Sequence, residues 1–361
     1  MSLSGRFVPP LLMLLAACAI VAPRGAAPPN ETPPLLHEAR AAYERGDDAV
    51  SIVRVEAFIA SAPGHPLLAE AQLLLARVRE RSGAWATAWE QYRLFLSNYP
   101  THAGAADALA RAAALARRHV FAGERPPVAR WRVIAPDRSA FPIGDGARVG
   151  AVLAPGVNPK WDEVARAIDL AAVDGVRIAL RLSLAEPGRP FDPFDDAAVG
   201  RAEAAYRAAA AWPIEGFLID RDLYVAAAAP PPAAQGVMAS LFGLGSFPAA
   251  LSEPRAWAWA GMRARASARA LGRFVRAVDA VQPGRTWIVA VSEAAVMRPA
   301  GAVLDRGEDL AELREAAPGL VPAIVAAAPF DLTAAAARLA EAGVRARPLA
   351  WVAGQDLVAL P

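Results

Sequence analysis

The sequence predicts two structural parts, a set of paired helices followed by an α/β domain in which strands and helices alternate. Two observations carry this prediction. A repeat of 37 residues runs without gaps from about residue 35, and six apolar segments alternate with helical stretches after residue 148. The chain has 361 residues, which is enough for two domains of ordinary size. We therefore expect helical repeats over 35–118, a linker over 119–147 and the α/β domain over 148–361.

The first 34 residues predict export and a tether rather than a folded domain. Arg6 precedes an apolar stretch from Val8 to Ala17, which is too short for a membrane-spanning helix. Cys18, the only cysteine, closes the sequence "LAAC". This resembles a bacterial lipoprotein signal, with residues 1–17 as the signal peptide and 18–34 as a Pro-rich tether. A secretory signal with an incidental cysteine is the alternative.

The lipoprotein resemblance implies a location and a membrane partner. Cleavage would make Cys18 the first residue and place lipid on it, which anchors the chain to a membrane. Ala19 follows the cysteine, which by resemblance favours an outer-membrane lipoprotein that faces the periplasm of a bacterial cell envelope.

Residue types exclude several classes of function. The net charge is +2 and the arginines are interspersed with acids, so no basic run could follow a phosphate backbone and we expect no nucleic-acid partner. All four histidines precede residue 120, and no cysteine follows Cys18. The α/β domain therefore lacks a Ser-His-Asp triad, a thiol nucleophile and a His-ligated zinc site. We expect no metal and no cofactor, with any chemistry carried by Asp, Glu, Tyr, Ser or Arg.

The repeat predicts pairs of helices with small residues between them. Glycine, phenylalanine and proline recur at the spacing of 37, as Gly46 with Gly83, Phe58 with Phe95 and Pro63 with Pro100. Small residues let paired helices approach, and the aromatic residue fills the space between pairs. The units resemble tetratricopeptide repeats, particularly those of envelope lipoproteins such as outer-membrane assembly and Tol-Pal accessory proteins. Either a surface for a protein partner or a short helical spacer fits two and a half such units.

The second part predicts a parallel sheet. The six strand candidates are Val149–Pro155, Val176–Leu184, Glu215–Asp220, Arg285–Glu293, Leu320–Pro329 and Ala346–Gly354. Helical stretches separate most of them, and an irregular Gly- and Pro-rich loop follows the third. This alternation fits a (β/α) barrel or an open doubly wound sheet, and in both the functional groups stand at the carboxyl ends of the strands. No GxGxxG follows the first strand and no Walker sequence occurs, which disfavours nucleotide-binding folds.

Carboxylates recur at those strand ends. Asp220 and Asp222 close the third strand, and Glu293 closes the fourth. On an extended strand Asp220 and Asp222 share one face and Arg221 points the other way, so each carboxylate should raise the pKa of the other. Such a pair suits glycoside hydrolysis, in which one carboxyl protonates the leaving oxygen and another acts as nucleophile or base. Solvated strand ends are the alternative interpretation.

One segment, residues 188–224, carries a second resemblance. It contains "FDP" at Phe191 to Pro193, a central Tyr206 and the strand "IEGFLIDRDLY". These features resemble the C-terminal domain of bacterial poly-β-1,6-N-acetylglucosamine deacetylases, which are proteins of biofilm exopolysaccharide. The resemblance implies a (β/α) TIM-type barrel, here shortened, that is similar to glycoside hydrolases and acts on a partly deacetylated polymer. The zinc deacetylase domain of that family is missing.

The resemblance also implies site residues. Asp222 matches an acid of the family, whereas Asp220 and Arg221 replace its His and its first Asp, and Ser292-Glu293 replaces an Arg-Asn strand end. The catalytic candidates are Asp222, which is the matched acid, and Asp220 and Glu293, which are chosen for their places at strand ends. The substrate-binding candidates are Arg181, Arg221, Tyr224 and Trp287. We expect a polysaccharide to be processed or bound during export; a non-catalytic glycan-binding or assembly lipoprotein, with the repeats docking a protein, is the alternative.

Overall fold

The computed structural model describes residues 33–122, 128, 130–135, 149–155, 160–186, 188–227, 230–243, 254–326, 331–352 and 356–360. The predicted signal peptide, most of the tether and the lipidation candidate Cys18 lie outside the described residues. Within the described ranges, every helix is too short or too polar to span a bilayer.

The first part is a series of five helices. They are α1 (Pro34–Arg45), α2 (Asp48–Ser61), α3 (Leu68–Arg81), α4 (Trp85–Asn98) and α5 (Ala105–Leu115), and a π-helical turn over Ala116–Val120 follows. Each helix packs on the next. Gly46 and Gly83 have φ angles of 86° and 80° after α1 and α3, a conformation that glycine adopts without strain. Phe58 and Phe95 are buried between the helices. The repeat thus corresponds to two helical hairpins.

The second part is a closed barrel of eight strands. They are β1 (Arg130–Ile134), β2 (Val149–Leu153), β3 (Arg177–Leu180), β4 (Gly216–Ile219), β5 (Thr286–Ser292), β6 (Val321–Ala326), β7 (Leu349–Val352) and β8 (Asp356–Ala359). The strands follow chain order around the barrel. Strands and helices alternate as expected, and of the two arrangements that fit the sequence the structure has the closed barrel.

The barrel is mixed rather than fully parallel. Strands β1 to β7 are parallel, whereas β8 runs antiparallel to both β7 and β1. Three residues separate β7 from β8, and a parallel return needs a crossover of a dozen or more residues. The connection therefore sets the reversed direction of the last strand. A purely alternating strand–helix pattern does not describe this end of the chain.

The barrel also begins earlier than expected. Strand β1 lies inside 119–147, the segment interpreted from sequence as a linker, so that interpretation is wrong for β1. Arg130 and Arg132 lie 3.9 and 3.5 Å from Asp356 of β8. These alternating charges point outward, and Trp131 between them is buried in the barrel interior. Because Arg130 and Arg132 are charged, the sequence of β1 has the composition of a solvated linker, and the strand was not predicted.

Within the described residues, eight helices accompany the strands. They are α6 (Trp161–Val173), α7 (Asp196–Ala210), α8 (Pro232–Phe242), α9 (Pro254–Asp279), α10 (Glu293–Met297), α11 (Pro299–Arg306), α12 (Leu310–Ala316) and α13 (Leu332–Glu341). Helix α8 occupies part of the segment expected to be an irregular loop, so that expectation is corrected there. Pro231 and Pro232 begin it at positions where a missing N–H costs no hydrogen bond.

Most of the strands have two buried faces. One faces the barrel interior, with Val152, Leu218 and Trp351 among its residues. The other packs against the helices, with Phe217 and Val289 among its residues. Because both faces are apolar, the strands are nearly continuous hydrophobic runs, as is typical of barrels surrounded by helices. The interior is a packed core, which leaves the strand ends and loops for polar chemistry.

The helical part packs directly on α6. The indole Nε1 of Trp89 donates a hydrogen bond of 3.0 Å to the carbonyl of Val173, and Arg117 forms an ion pair of 3.0 Å with Asp169. The ring of Phe121 lies where a side chain at Gly175 would stand, 2.8 Å from an ideal Cβ. The two parts therefore share a packed interface at the side of the barrel.

Candidate functional site

The segment after β4 places two carboxylates at the carboxyl end of the parallel strands. Strand β4 ends at Ile219, and Arg221–Leu223 forms a single 3-10 turn. The Asp220 carboxylate accepts the N–H of Arg221 at 2.7 Å and so caps this turn. The expectation that Asp220 and Asp222 share one face of an extended strand is therefore wrong, because Asp222 lies in the turn. The turn, not strand geometry, sets their positions.

Asp222 is largely buried beside the segment that follows β3. Its Oδ2 accepts the N–H of Leu184 at 2.9 Å, and its Oδ1 is buried with no hydrogen-bond partner among the described residues. Burial raises the pKa of Asp222, and the nearby charge of Asp220 raises it further. The N–H groups of Leu184 and Ala185 and the Arg181 charge act in the opposite direction but do not offset this effect. The carboxyl of Asp222 therefore holds its proton to higher pH than an exposed aspartate.

Asp220 is held by a cation. The Arg181 guanidinium lies 3.3 Å from its carboxylate, directly after β3. The same guanidinium lies over the ring of Trp351 in the barrel interior, 5.8 Å from the ring centroid. The two neighbouring aspartates thus have different environments, since Asp220 is ion-paired and partly exposed whereas Asp222 is desolvated. Arg181, Asp220 and Asp222 are the predicted site residues that the structure brings together.

Glu293 lies apart from this pair. It begins α10 directly after β5, and Ser292 caps that helix by accepting the N–H of Ala295 at 3.2 Å. Glu293 lines a cavity of about 270 Å³ together with Arg298, Asp305 and Arg306. Neither Asp220 nor Asp222 lines this cavity. The structure therefore does not join Glu293 to the aspartate pair in one cavity.

Two predicted substrate-binding aromatics belong to the core. Trp287 is 4% exposed and stacks on Phe217 at 5.1 Å between centroids, between the barrel and the helices. Tyr224 is 9% exposed, and its hydroxyl donates a hydrogen bond of 3.0 Å to the carbonyl of Ala290. Burial raises the pKa of the Tyr224 phenol well above its ordinary value. The expectation that Trp287 and Tyr224 stack on sugars is wrong, because both side chains are buried in the core.

Arg221 remains at the surface of the turn. It is half-buried, and its backbone N–H donates to Asp220. Within the described part of the chain its guanidinium forms no ion pair. Arg221 is therefore available to a ligand, in contrast to the two aromatics.

The "FDP" motif supports the loops around the site. Asp192 is buried, with one carboxylate oxygen accepting the N–H of Phe194 and the other that of Ala234, both at 3.0 Å. It therefore ties the segment after β3 to the start of α8. Tyr206, the central tyrosine of the segment, is buried with its ring stacked on Phe274 at 5.0 Å. Both residues are therefore part of the scaffold around the site.

Sequence reasoning missed two buried charged residues near the site. Glu308 is fully buried; its Oε2 accepts the N–H of Ser292 at 2.7 Å, and its Oε1 has no hydrogen-bond partner among the described residues. Arg263 of α9 is also fully buried, and donates to the carbonyls of Val225 at 2.6 Å and of Leu304. Burial lowers the pKa of Arg263 to about 10. Neither position differs in sequence from a solvated charge, so only the packing reveals them.

No group of three or more His, Cys, Asp or Glu side chains within the described residues could hold a metal ion. Comparison with protein-family models and with curated proteins finds no match to this chain. The fold and the site together define the structural class of this protein. It consists of helical hairpins packed on a closed, mixed eight-stranded barrel, with a carboxylate pair at the carboxyl ends of the barrel strands.

Proposed function

We propose that this protein is a lipoprotein of the bacterial cell envelope whose barrel acts on an amino-sugar exopolysaccharide of the poly-N-acetylglucosamine type during its processing or export. One observation carries the proposal. Burial and the nearby charge of Asp220 raise the pKa of Asp222, whereas Asp220 itself is partly exposed and forms an ion pair with Arg181. Neighbouring carboxyls with contrasting environments are typical of acid and base pairs in glycosidases.

In the proposed reaction the two carboxyls have different roles. Asp222, with its raised pKa, is the proton donor to the oxygen of the glycosidic bond. Asp220, which forms an ion pair with Arg181, serves as the second carboxylate that stabilises the developing positive charge on the sugar or activates water. Arg221 contributes a charged hydrogen-bond donor to the polymer beside them. Two carboxyls and hydrogen-bond donors are sufficient for this reaction class.

A second candidate function is binding without hydrolysis. One observation favours it, since Oδ1 of Asp222 is buried with no hydrogen-bond partner among the described residues. In this alternative the barrel holds glycan and the helical repeats dock a protein partner. Val53 and Leu94, which are exposed on α2 and α4, are candidates for that contact.

The deciding experiment measures products and binding together. The chain from Pro28 onward is incubated with partly deacetylated poly-N-acetylglucosamine, and new reducing ends and retained polymer are quantified. We expect product from the wild type, none from Asp222→Asn, and wild-type product from Asp309→Asn. Asp309 caps α12 away from the pair, and asparagine caps helices as well as aspartate does.

Polymer retained without product would establish the second candidate instead. If the folded protein forms no product and also retains no polymer, both proposed functions are contradicted.

A further inference from the structure

Strands β5 and β6 end at a cavity of about 270 Å³ that neither aspartate of the pair lines. Ser292 closes β5 and Val325 lies one residue before the end of β6, and both line the cavity. Glu293 and Arg298, at the two ends of α10, line it as well. We call this space the α10 cavity. It lies at the carboxyl ends of parallel strands, the face of such barrels at which ligands bind.

Two opposite charges in the α10 cavity have no partner in the described part of the chain. The carboxylate of Glu293 and the guanidinium of Arg298 form neither hydrogen bonds nor ion pairs there. They are therefore too far apart to pair with each other. Glu293 is half-buried and Arg298 is exposed, so a ligand can reach both from solvent.

The other two charged residues that line the α10 cavity have partners. Arg306 lies 4.0 Å from Oε1 of Glu308. Burial lowers the pKa of Arg263, and the charge of Asp305 opposes this effect, so Asp305 compensates that buried guanidinium. The charges of the cavity that remain uncompensated are therefore one carboxylate and one guanidinium.

The backbone holds these two side chains at the ends of a short helix. Ser292, directly before Glu293, caps α10 by accepting the N–H of Ala295 at 3.2 Å. At the other end, the N–H of Arg298 donates to the carbonyl of Ala294 at 2.8 Å. Because both ends of α10 are fixed in this way, little backbone freedom is lost when a ligand binds between them.

A buried acid stands directly behind the wall of the α10 cavity. Glu308 is fully buried, and its Oε2 accepts the N–H of Ser292 at 2.7 Å. Its Oε1 has no hydrogen-bond partner among the described residues and lies 4.0 Å from Nε of Arg306. Ser292 and Arg306 both line the cavity. The end of the cavity at Ser292 and Glu293 therefore favours a cationic group.

We propose that the α10 cavity binds a small zwitterion, a molecule with one ammonium and one carboxylate group, such as a free amino acid. The ammonium contacts the carboxylate of Glu293, and the carboxylate of the ligand contacts the guanidinium of Arg298. A single ion would pair with one of these groups and leave the other without a partner. The volume lies just below the roughly 300–1,000 Å³ of ordinary ligand cavities, so the ligand is small. This inference is independent of the proposed function at the aspartate pair.

The test uses the full chain and titration calorimetry with five probes. Alanine, β-alanine and 4-aminobutyrate are zwitterions whose charges are increasingly far apart, whereas ethylamine and propionate carry one charge each. We expect at least one zwitterion to bind about tenfold or more tightly than either single-charge probe, since it satisfies both charged groups of the cavity. The tightest zwitterion measures the separation of charge that the cavity accepts.

Charge variants locate the two ends of the ligand. Glu293→Gln and Arg298→Gln should each weaken the tightest zwitterion about tenfold or more, because one charge of the ligand loses its partner. Glu293→Gln should leave the binding of propionate unchanged, and Arg298→Gln that of ethylamine. Glu44→Gln and Arg45→Gln, which alter neighbouring exposed charges on α1, are the matched controls and should bind as the wild type does. Thermal denaturation verifies that all four variants are folded.

Three results would overturn the proposal. They are equal affinity for the zwitterions and the single-charge probes, unchanged zwitterion binding in both cavity variants, and no binding of any zwitterion by the folded protein.

Discussion

The Arg181 guanidinium lies 3.3 Å from the Asp220 carboxylate, and it acts together with Asp220 on the buried Asp222. The electrostatic field at the Asp222 carboxyl therefore comes from the Arg181–Asp220 ion pair and not from a single negative charge. Removing either partner alone should change the ionisation of Asp222, and in opposite directions. This relationship makes the site testable before any substrate is known.

The first prediction concerns the pKa of Asp222. Asp220→Asn removes a neighbouring negative charge and should lower the pKa of Asp222, whereas Arg181→Gln removes a positive charge and should raise it. Carboxyl-carbon NMR titration measures both effects. Arg189→Gln, which removes an ion pair with Asp195, is the control and should leave the titration of Asp222 unchanged. Shifts in the same direction in the two site variants would contradict the ion-pair geometry.

The second prediction concerns stability and pH. Because the folded state raises the pKa of Asp222, it binds this proton more tightly than the unfolded chain, and the contribution of Asp222 to stability falls as pH rises through and above the unfolded value of about 3.9. Asp222→Asn keeps an oxygen for the Leu184 N–H but removes the charge. It should stabilise the protein at pH 7 by on the order of 1 kcal/mol and by less below pH 4. Urea unfolding at both pH values measures this; a variant less stable at pH 7 would contradict it.

The third prediction concerns Arg263. Arg263→Met fills similar space but leaves the carbonyls of Val225 and Leu304 without their buried donor. We expect a loss of about 3 kcal/mol or more in the free energy of unfolding. Arg269→Met, on the exposed face of the same helix, should change it by less than about 0.5 kcal/mol. Similar losses in both variants would show that the hydrogen bonds from Arg263 to Val225 and Leu304 do not stabilise the fold.

The fourth prediction concerns the contact between β4 and β5. A Cβ at Gly216 would overlap the backbone carbonyl of Thr286, so Gly216→Ala should cost about 2 kcal/mol or more and disturb the strand that leads to Asp220. At Gly200 in α7 a Cβ meets nothing within 4 Å, and Gly200→Ala should stabilise the helix by about 0.5–1 kcal/mol. Thermal denaturation of both variants measures the contrast. Equal tolerance at the two glycines would contradict the close approach.

Several features of the fold were predictable because they depend on local pattern. The 37-residue repeat located the helical hairpins, and apolar runs located six of the eight strands. Strand β1 was missed because Arg130 and Arg132 interrupt its apolar pattern. Strand β8 was missed because a short strand after a three-residue connection has no helix before it to mark it.

The candidate site was only partly predictable for a physical reason. The sequence located Asp220 and Asp222 at a strand end, but the 3-10 turn that buries Asp222 depends on contacts with the segment after β3. Burial also decided the roles of Trp287 and Tyr224, which pack in the core. Glu308 and Arg263 became visible only through tertiary packing, since neither carries a local signal.

The central claim is that the carboxylate pair at the barrel is the carbohydrate site, and NMR of the carboxyl carbons tests it most directly. Spectra of the chain from Pro28 onward are recorded with and without a partly deacetylated N-acetylglucosamine oligomer. We predict that the signals of Asp222 and Asp220 and the titration of Asp222 change with oligomer, while the signal of Asp107 in helix α5 is unchanged. Unchanged Asp222 and Asp220 signals at saturating oligomer, or changes confined to the helical part, would contradict the claim.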